Sequence, residues 1–243
     1  MTSSQFIFSI YLLTFALSLQ TIFGASPLFH FCLSSAGNFT TNDPYGSNLK
    51  TLLGNLHYQT PPQGFGNSSV GSNSYQTYGL ALCRGDVNAT ACETCVNKAS
   101  NELHKRRPYN KGAIIWYDNC LLKYLNTDFF HQIDNQNKSF TWNVKNVSNP
   151  TTFNNKTKEL LSKLAKEASV SPKLYEVGEL ELSESNKLYG LVQCTRDLSN
   201  SECFTCPDTA IGELHFYSDG KEGGRVVGGS CNIRYEIYPF VMY

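Results

Sequence analysis

The chain has little charge and no excess of either sign. Of its 243 residues, 16% are Asp, Glu, Lys or Arg, and 20 basic residues balance 20 acidic ones. Without an excess of positive charge, a protein lacks the electrostatic attraction that nonspecific nucleic-acid binding requires. The 41% of hydrophobic residues is enough for folded cores, and the low charge argues against a disordered chain. We therefore expect a globular protein with no nucleic-acid partner.

Long apolar runs are absent beyond the first 20 residues. Residues 6–19 carry no charge, but this run is shorter than a membrane-spanning helix needs. The small residues Gly24, Ala25 and Ser26 follow, as they do at signal peptidase sites. The pattern predicts a signal peptide over residues 1–26. Because no second apolar span follows, we expect a secreted, extracellular protein without membrane insertion.

Catalytic and metal-binding motifs are also missing. The five histidines share no spacing with a nucleophile or carboxylate that indicates a triad. The glycine-rich stretch 220–224 lacks the GK[ST] ending of a phosphate loop. Asp118, which precedes Asn119 and Cys120, is interpreted as a turn residue. We predict that the protein is not an enzyme and has no catalytic residues, cofactor or metal.

The nine cysteines reveal an internal repeat. Four of them follow the spacing C-x8-C-x2-C-x24-C, and all four recur 111 residues later; these are Cys83, Cys92, Cys95 and Cys120, then Cys194, Cys203, Cys206 and Cys231. Such an offset indicates a tandem duplication, hence two domains. In a secreted protein, repeated cysteines are normally disulfides rather than zinc or redox sites. A local bridge across the x8 loop is favoured, although four cysteines allow three connectivities.

Apolar periodicity predicts the same elements in both copies. Helical spacing recurs around 49–56 and 153–168, and alternating runs at 75–82 and 188–192 indicate strands. Each CxxC segment begins a second helix, and strands surround the last cysteine. The fold class is therefore α+β, with two tandem domains of helices packed on an antiparallel sheet. We predict domains at 27–133 and 151–243, joined by an Asn-rich linker at 134–150.

Six N-glycosylation sequons support an extracellular location. None lies in the last third of the chain; they are at Asn38, Asn67, Asn88, Asn137, Asn146 and Asn155.

The cysteine pattern and several phrases resemble one known family. The phrases LCRGDV, AIIWYDNCLLKY, LVQCTRDLS and GKEGGRVVGGSCNIRYEIYPF are similar to those of plant cysteine-rich repeat secretory proteins, which carry two ginkbilobin-homologous (stress-antifungal) domains. The resemblance implies two helices on a five-stranded antiparallel sheet in each domain, and a non-enzymatic protein of the apoplast. It also implies four disulfides: Cys83–Cys92, Cys95–Cys120, Cys194–Cys203 and Cys206–Cys231.

Two positions depart from the family pattern. The family usually has a further cysteine where this chain has Arg107, and a Cys-Cys pair where the second copy has Tyr217 and Ser218. In the first domain that cysteine normally pairs with the N-terminal one, here Cys32. We therefore predict that Cys32 is a free thiol, either inert or available for an intermolecular disulfide.

The resemblance also implies a sugar site. Ginkbilobin is a mannose-binding antifungal protein, and its contact types are an Asn, an Arg and a Glu at fixed places around the cysteines. In the second domain, Arg225 and Glu236 match, and Asn143 is a candidate from the 111-residue offset. Arg225 and Glu236 could equally form a structural ion pair. The first domain has Leu33, Ile114 and Leu125 at these places, so we predict that its site does not bind sugar.

Two functions follow as hypotheses. The first is a secreted binding protein that recognises mannose-like glycans in defence or stress response. The alternative is a protein-interaction module that pairs, without sugar, with receptor-like kinase ectodomains built from the same domains.

Overall fold

Both halves of the chain fold into two helices packed on a five-stranded antiparallel sheet. The structure, a computed structural model, describes residues 26–106, 108–183 and 186–241. The predicted signal peptide, apart from Ser26, lies outside these residues, as does Arg107. The predicted α+β class with two tandem, disulfide-stapled domains is confirmed.

The first domain begins at an edge strand and ends in a central hairpin. Its strands are β1 (Phe29–Cys32), β2 (Phe65–Val70), β3 (Thr77–Cys83), β4 (Ala113–Trp116) and β5 (Cys120–Leu125), and its helices are α1 (Pro44–Gln63) and α2 (Ala89–Arg106). The strand order in the sheet is β1-β4-β5-β3-β2.

The second domain repeats this topology. Its strands are β6 (Lys138–Trp142), β7 (Tyr175–Ser183), β8 (Asn186–Cys194), β9 (Gly223–Gly228) and β10 (Cys231–Glu236), and its helices are α3 (Pro150–Val170) and α4 (Asn200–Tyr217). The order β6-β9-β10-β8-β7 matches that of the first sheet strand for strand. The duplication read from the cysteines therefore extends to the connectivity.

Capping residues fix where three of the helices begin. Asp43 accepts a hydrogen bond from the Tyr45 amide, and Asn149 accepts one from the Thr152 amide. A proline follows each cap, where its missing N–H costs nothing. Ser199 and Glu202 form a capping box before α4. These caps supply partners for backbone donors that the first helical turn leaves free.

One face of each sheet is covered by its two helices. In the first domain, Leu52 and Leu56 of α1 pack with Ile115 and Leu122 in a buried cluster. In the second, Leu161 and Leu164 of α3 pack with Ile233 and neighbouring residues. The helical spacing in the sequence thus marks the sides of the helices that face the sheets.

The other face of the first sheet packs on the second domain. Strand residues alternate between faces, so Ile114 and Trp116 point away from the helices and cluster with Val227 of β9. Trp116 Nε1 donates to the Gly228 carbonyl at 2.9 Å, and Gln193 Nε2 donates to the Cys83 carbonyl at 3.0 Å. Because these bonds are buried, the two domains share a second core.

Four disulfides tie helix starts to strands. Their pairs are Cys83–Cys92, Cys95–Cys120, Cys194–Cys203 and Cys206–Cys231, which are the pairs that the resemblance implied. All nine cysteines lie in the described part of the chain, where Cys32 is a half-buried free thiol.

The predicted linker needs a correction, because part of it belongs to the second sheet. Strand β6, at 138–142, pairs antiparallel with β9, and Asn146 bridges to Lys221. The ring of Phe140 also stacks on Tyr217 with centroids 3.8 Å apart. Five residues flanked by asparagines give a weak strand signal, so pairing and stacking decide this segment rather than local propensity.

Candidate functional site

The three residues predicted to contact sugar lie on, or directly after, three neighbouring strands of the second sheet. Arg225 on β9 is opposite Thr141 of β6, and Glu236 at the end of β10 is opposite Gly223. Asn143 directly follows β6, and its backbone N–H donates to the Gly223 carbonyl at 2.9 Å. Antiparallel pairing of these strands therefore places all three side chains around one cleft of about 190 Å³.

Asn143 and Glu236 are in direct contact. Asn143 Nδ2 donates to Glu236 Oε2 at 2.9 Å. The other carboxylate oxygen, Oε1, accepts from Arg234 Nε at 3.1 Å and from Nη2 at 3.0 Å. Glu236 is only 5% exposed, so these bonds hold its carboxylate in one orientation at the wall of the cleft.

Arg225 is paired across the domain boundary and not with Glu236. Its Nη1 lies 2.6 Å from Oδ1 of Asp118 in the first domain, and its Nε donates to Asn232 Oδ1 at 3.1 Å. The ion pair that the sequence left open as an alternative thus has different partners: Arg225 with Asp118, and Glu236 with Arg234. Arg225 is 8% exposed.

Asp118 is shared by three guanidinium groups. Oδ2 accepts from Arg84 Nη1 at 2.8 Å, and Oδ1 lies 3.4 Å from Arg234 Nη1 as well as near Arg225. Burial by itself would raise the pKa of Asp118, but the positive charges of Arg225, Arg84 and Arg234 hold it below its ordinary value. Asp118 is therefore ionised at neutral pH, and it joins the two domains electrostatically.

Burial also affects the pKa values of Arg225 and Arg84. It lowers the pKa of Arg225 from its ordinary value, and Asp118 opposes that shift. For Arg84, burial is again the largest effect and would lower the pKa, but Asp86 and Asp118 together raise it. Three carboxylates, those of Asp86, Asp118 and Glu236, match three guanidinium groups, so the network is neutral as a whole.

Gly223 gives the cleft its shape. A Cβ at this position would collide with the Glu236 carboxylate and the Asn143 amide nitrogen. Glycine therefore allows these two side chains to approach the β9 backbone closely.

The sequence did not identify three members of this site: Asp118, Arg234 and Trp142. Trp142, the last residue of β6, is half exposed and lines the cleft. Arg234 could have been found, because residues two apart on a strand share a face and Glu236 had already been selected. Asp118 could not, because it comes from the other domain and no spacing connects it to Arg225.

The corresponding place in the first domain is apolar. Ile114 is fully buried in the interdomain cluster, and Leu33 and Leu125 are half buried beside it. None of the three side chains can form the hydrogen bonds that the second domain offers.

Other kinds of site are not evident in the described residues. No group of three His, Cys, Asp or Glu side chains comes together there as metal ligands do. No helix among those same residues has the length and apolar character to span a membrane.

Comparison with known proteins places the chain in a family. A family model described as "Salt stress response/antifungal" matches residues 31–127 and again 139–238. The chain belongs to this family. Both matches coincide with the duplicated units, and the second begins at β6, in agreement with the corrected linker.

Relatives match over nearly the whole chain. It is 57% identical over 241 residues to an antimicrobial ginkbilobin-2-like protein of Castanea crenata, covering 99% of both chains. It is 51% identical to cysteine-rich repeat secretory protein 38 of Arabidopsis thaliana, over 93% of this chain and 91% of the relative. A solved structure, the tandem DUF26 ectodomain of the Arabidopsis thaliana receptor-like protein PDLP8, is 25% identical with a TM-score of 0.79 and covers 89% of this chain and all of that one. The protein is thus one of the secreted, extracellular cysteine-rich repeat proteins.

Proposed function

We propose that this protein is a non-enzymatic binding protein of the plant apoplast that recognises neutral, mannose-like glycans through the second-domain cleft. The observation that carries the proposal is the convergence of Asn143, Arg225 and Glu236 on one cleft beside the half-exposed Trp142. Small-molecule sites typically combine an aromatic surface with a few fixed polar groups.

The charge balance favours an uncharged ligand. Within the cleft, Arg225 and Arg234 are matched by Asp118 and Glu236. An anionic sugar would have to compete with these carboxylates for the guanidinium groups. The hydroxyl groups of a neutral sugar can instead donate hydrogen bonds to the side-chain oxygens of Asn143 and Glu236. The apolar face of the same sugar can stack on Trp142. With so few contacts, we expect a monosaccharide Kd on the order of 1 mM.

The relatives supply the biological setting of the proposal. One is named an antimicrobial protein and the family model is described by salt stress response and antifungal action. Recognition of glycans on microbial surfaces, as part of a defence or stress response, is consistent with both descriptions.

Binding to a glycan array, with two site variants and one control, tests the proposal. Arg225 is unsuitable for substitution because it also joins the domains. Trp142→Ala and Asn143→Ala change exposed or rim positions, and both should abolish binding to mannose-type glycans without unfolding the protein. Tyr58→Ala removes an aromatic side chain that is 84% exposed on α1, and it should bind like the wild type. Equal binding by all four proteins would refute the assignment of the site.

Protein interaction is the alternative, and it is favoured by the likeness to a receptor-like protein ectodomain. Under this alternative, the chain pairs with ectodomains of the same fold and needs no sugar. Capture of such an ectodomain by the wild type and by Trp142→Ala alike, together with a blank glycan array, would select it.

A further inference from the structure

The first domain has a cleft on the face of its sheet that points away from the helices. Strand register places Phe31 of β1 opposite Ile114 of β4, and Ile114 opposite Lys123 of β5. These three side chains therefore share the face that Ile114 occupies in the interdomain cluster. Residues of β1, of β5 and of the segment after β5 line a cleft of about 430 Å³ there, which is a size typical of small-molecule sites.

This cleft is the counterpart of the second-domain cleft but has different chemistry. The 111-residue offset relates Lys123 to Arg234 and Leu125 to Glu236. Where the second domain has a charged network, most of the first-domain wall is apolar. Its apolar lining residues are Phe31, Leu33, Leu125, Phe129 and Ile133. Phe129 is buried, and the other four are only half buried, so apolar surface is left for a ligand to cover.

Lys123 supplies a polar group in this apolar wall. Its side chain is only 3% exposed, and Nζ lies 2.8 Å from Asp134 Oδ2 and 4.4 Å from the centroid of the Phe129 ring. A lysine ammonium has three N–H donors. One carboxylate oxygen and one ring face leave at least one of these donors without a partner among the described residues. Because a buried donor without an acceptor is unfavourable, an acceptor atom in the cleft would be stabilising.

Asp134 determines which kind of ligand fits. Its Oδ1 accepts hydrogen bonds from the backbone N–H groups of Gln136 and Asn137, and Asn137 Nδ2 contacts both carboxylate oxygens. The acceptor sites of the carboxylate are therefore already used within the protein. Its negative charge also balances that of Lys123. A matching ligand thus contributes one acceptor and carries no charge.

We propose that the first-domain cleft binds a neutral aromatic small molecule whose carbonyl oxygen accepts a hydrogen bond from Lys123 Nζ. The rings of Phe31 and Phe129 offer edge-to-face contacts to an aromatic ligand, and burial of apolar surface against Leu33 and Leu125 supplies most of the affinity. This site is separate from the second-domain cleft, so the proposal does not depend on sugar binding.

Two ligands that differ only in the acceptor test the proposal. Benzophenone has two aromatic rings and a carbonyl, and diphenylmethane has the same rings without the oxygen. Each is titrated into the secreted, ¹⁵N-labelled protein, and the backbone amide signals of Leu125 and Ile133 are followed by NMR. All proteins carry Ser139→Ala, which eliminates the sequon of Asn137, because that residue also lines the cleft.

Two variants and one control locate the binding. Leu33→Gln places an amide in the apolar wall and should weaken benzophenone binding at least tenfold. Leu28→Gln, an exposed leucine that lines the second-domain cleft instead, is the matched control and should bind normally. Lys123→Met with Asp134→Asn removes the donor without leaving an unpaired charge, and it should bind the two ligands equally.

We expect the background protein to bind benzophenone with a Kd on the order of 100 μM, and diphenylmethane about tenfold more weakly because it lacks the hydrogen bond. The Leu125 and Ile133 signals should shift and saturate, while those of Asn143 and Glu236 stay in place. Equal affinities for the two ligands in the background protein, or no saturable shift at Leu125 and Ile133, would overturn the proposal. If a variant does not fold, the ratio of the two affinities in the background protein remains as the test.

Discussion

Asp118 Oδ1 lies 2.6 Å from Arg225 Nη1, although the two residues belong to different domains. The contact joins the first-domain turn between β4 and β5 to the middle of β9. It also places a first-domain carboxylate in the wall of the second-domain cleft. Domain packing and the geometry of the candidate site are therefore coupled through one residue.

Asp118→Asn should weaken both stability and glycan binding. The substitution retains the shape of the side chain but leaves the buried Arg225 without its counter-charge. Because Asp118 itself is half exposed, we expect a loss of only about 1–3 kcal/mol in the free energy of unfolding. Urea denaturation measures it. Asp208→Asn, an exposed carboxylate on α4, is the control and should change stability by less than about 0.5 kcal/mol.

Breaking the more buried ion pair between Lys123 and Asp134 should reduce the free energy of unfolding more than Asp118→Asn does. Lys123 Nζ lies 2.8 Å from Asp134 Oδ2, and the two side chains are 3% and 10% exposed. Asp134→Ala leaves the lysine charge buried and unpaired, with an expected loss of about 3–5 kcal/mol. The double variant Lys123→Met with Asp134→Ala removes the unpaired lysine charge as well, and it should recover part of the lost free energy of unfolding. If the single and double variants are equally unstable, charge burial is not the cause.

Acid should destabilise the folded protein by protonating the carboxylates of Asp134 and Asp118. Burial raises the pKa of Asp134, but Lys123 and the Asn137 bonds more than offset this, so the pKa lies below its ordinary value; Asp118 is shifted the same way. A depressed folded-state pKa contributes stability that is fully present above the unfolded value of about 4 and is lost as pH falls through the folded-state pKa. Unfolding free energy should be flat from about pH 5 to 7 and fall below about pH 4. Asp134→Asn should show a shallower fall, and an identical profile would contradict this assignment.

Gly223 should be needed for binding more than for folding. Gly223→Ala places a methyl group against the Glu236 carboxylate and Asn143 amide, so we expect loss of glycan binding and about 1–3 kcal/mol of destabilisation from overpacking. Gly54→Ala on α1 is the matched control, because nothing lies within 4 Å of its added Cβ. It should stabilise the helix by about 0.5–1 kcal/mol and bind normally. Retained binding by Gly223→Ala would show that the contact between Glu236 and Asn143 is dispensable.

The fold could be predicted from the sequence where the pattern was strong and repeated. The 111-residue offset gave the duplication, and the leucines of 49–56 and 153–168 gave the first helix of each domain. The strand β6 was missed because five residues between asparagines carry little local preference, and its stability comes from pairing with β9. A signal that depends on a distant partner is not present in a short window.

The candidate site was predictable only in part, for a similar reason. Arg225 and Glu236 could be found by resemblance, and Asn143 by the repeat offset. The partner of Arg225 could not be found, because Asp118 approaches it only once the two sheets have packed together. The sequence therefore identified residues at the cleft and left open an ion pair between Arg225 and Glu236. In the structure, Arg225 pairs with Asp118 and Glu236 pairs with Arg234.

The central claim is that sugar binds beside Trp142, and the two tryptophans of the chain provide the direct measurement. Trp116 is buried between the domains and its Nε1 is bonded to Gly228, whereas Trp142 lines the cleft. In an NMR titration with a mannose-type oligosaccharide, the account predicts that the Trp142 indole N–H signal shifts and saturates at about millimolar ligand, while that of Trp116 stays in place. An unmoved Trp142 signal at saturating sugar would contradict the claim.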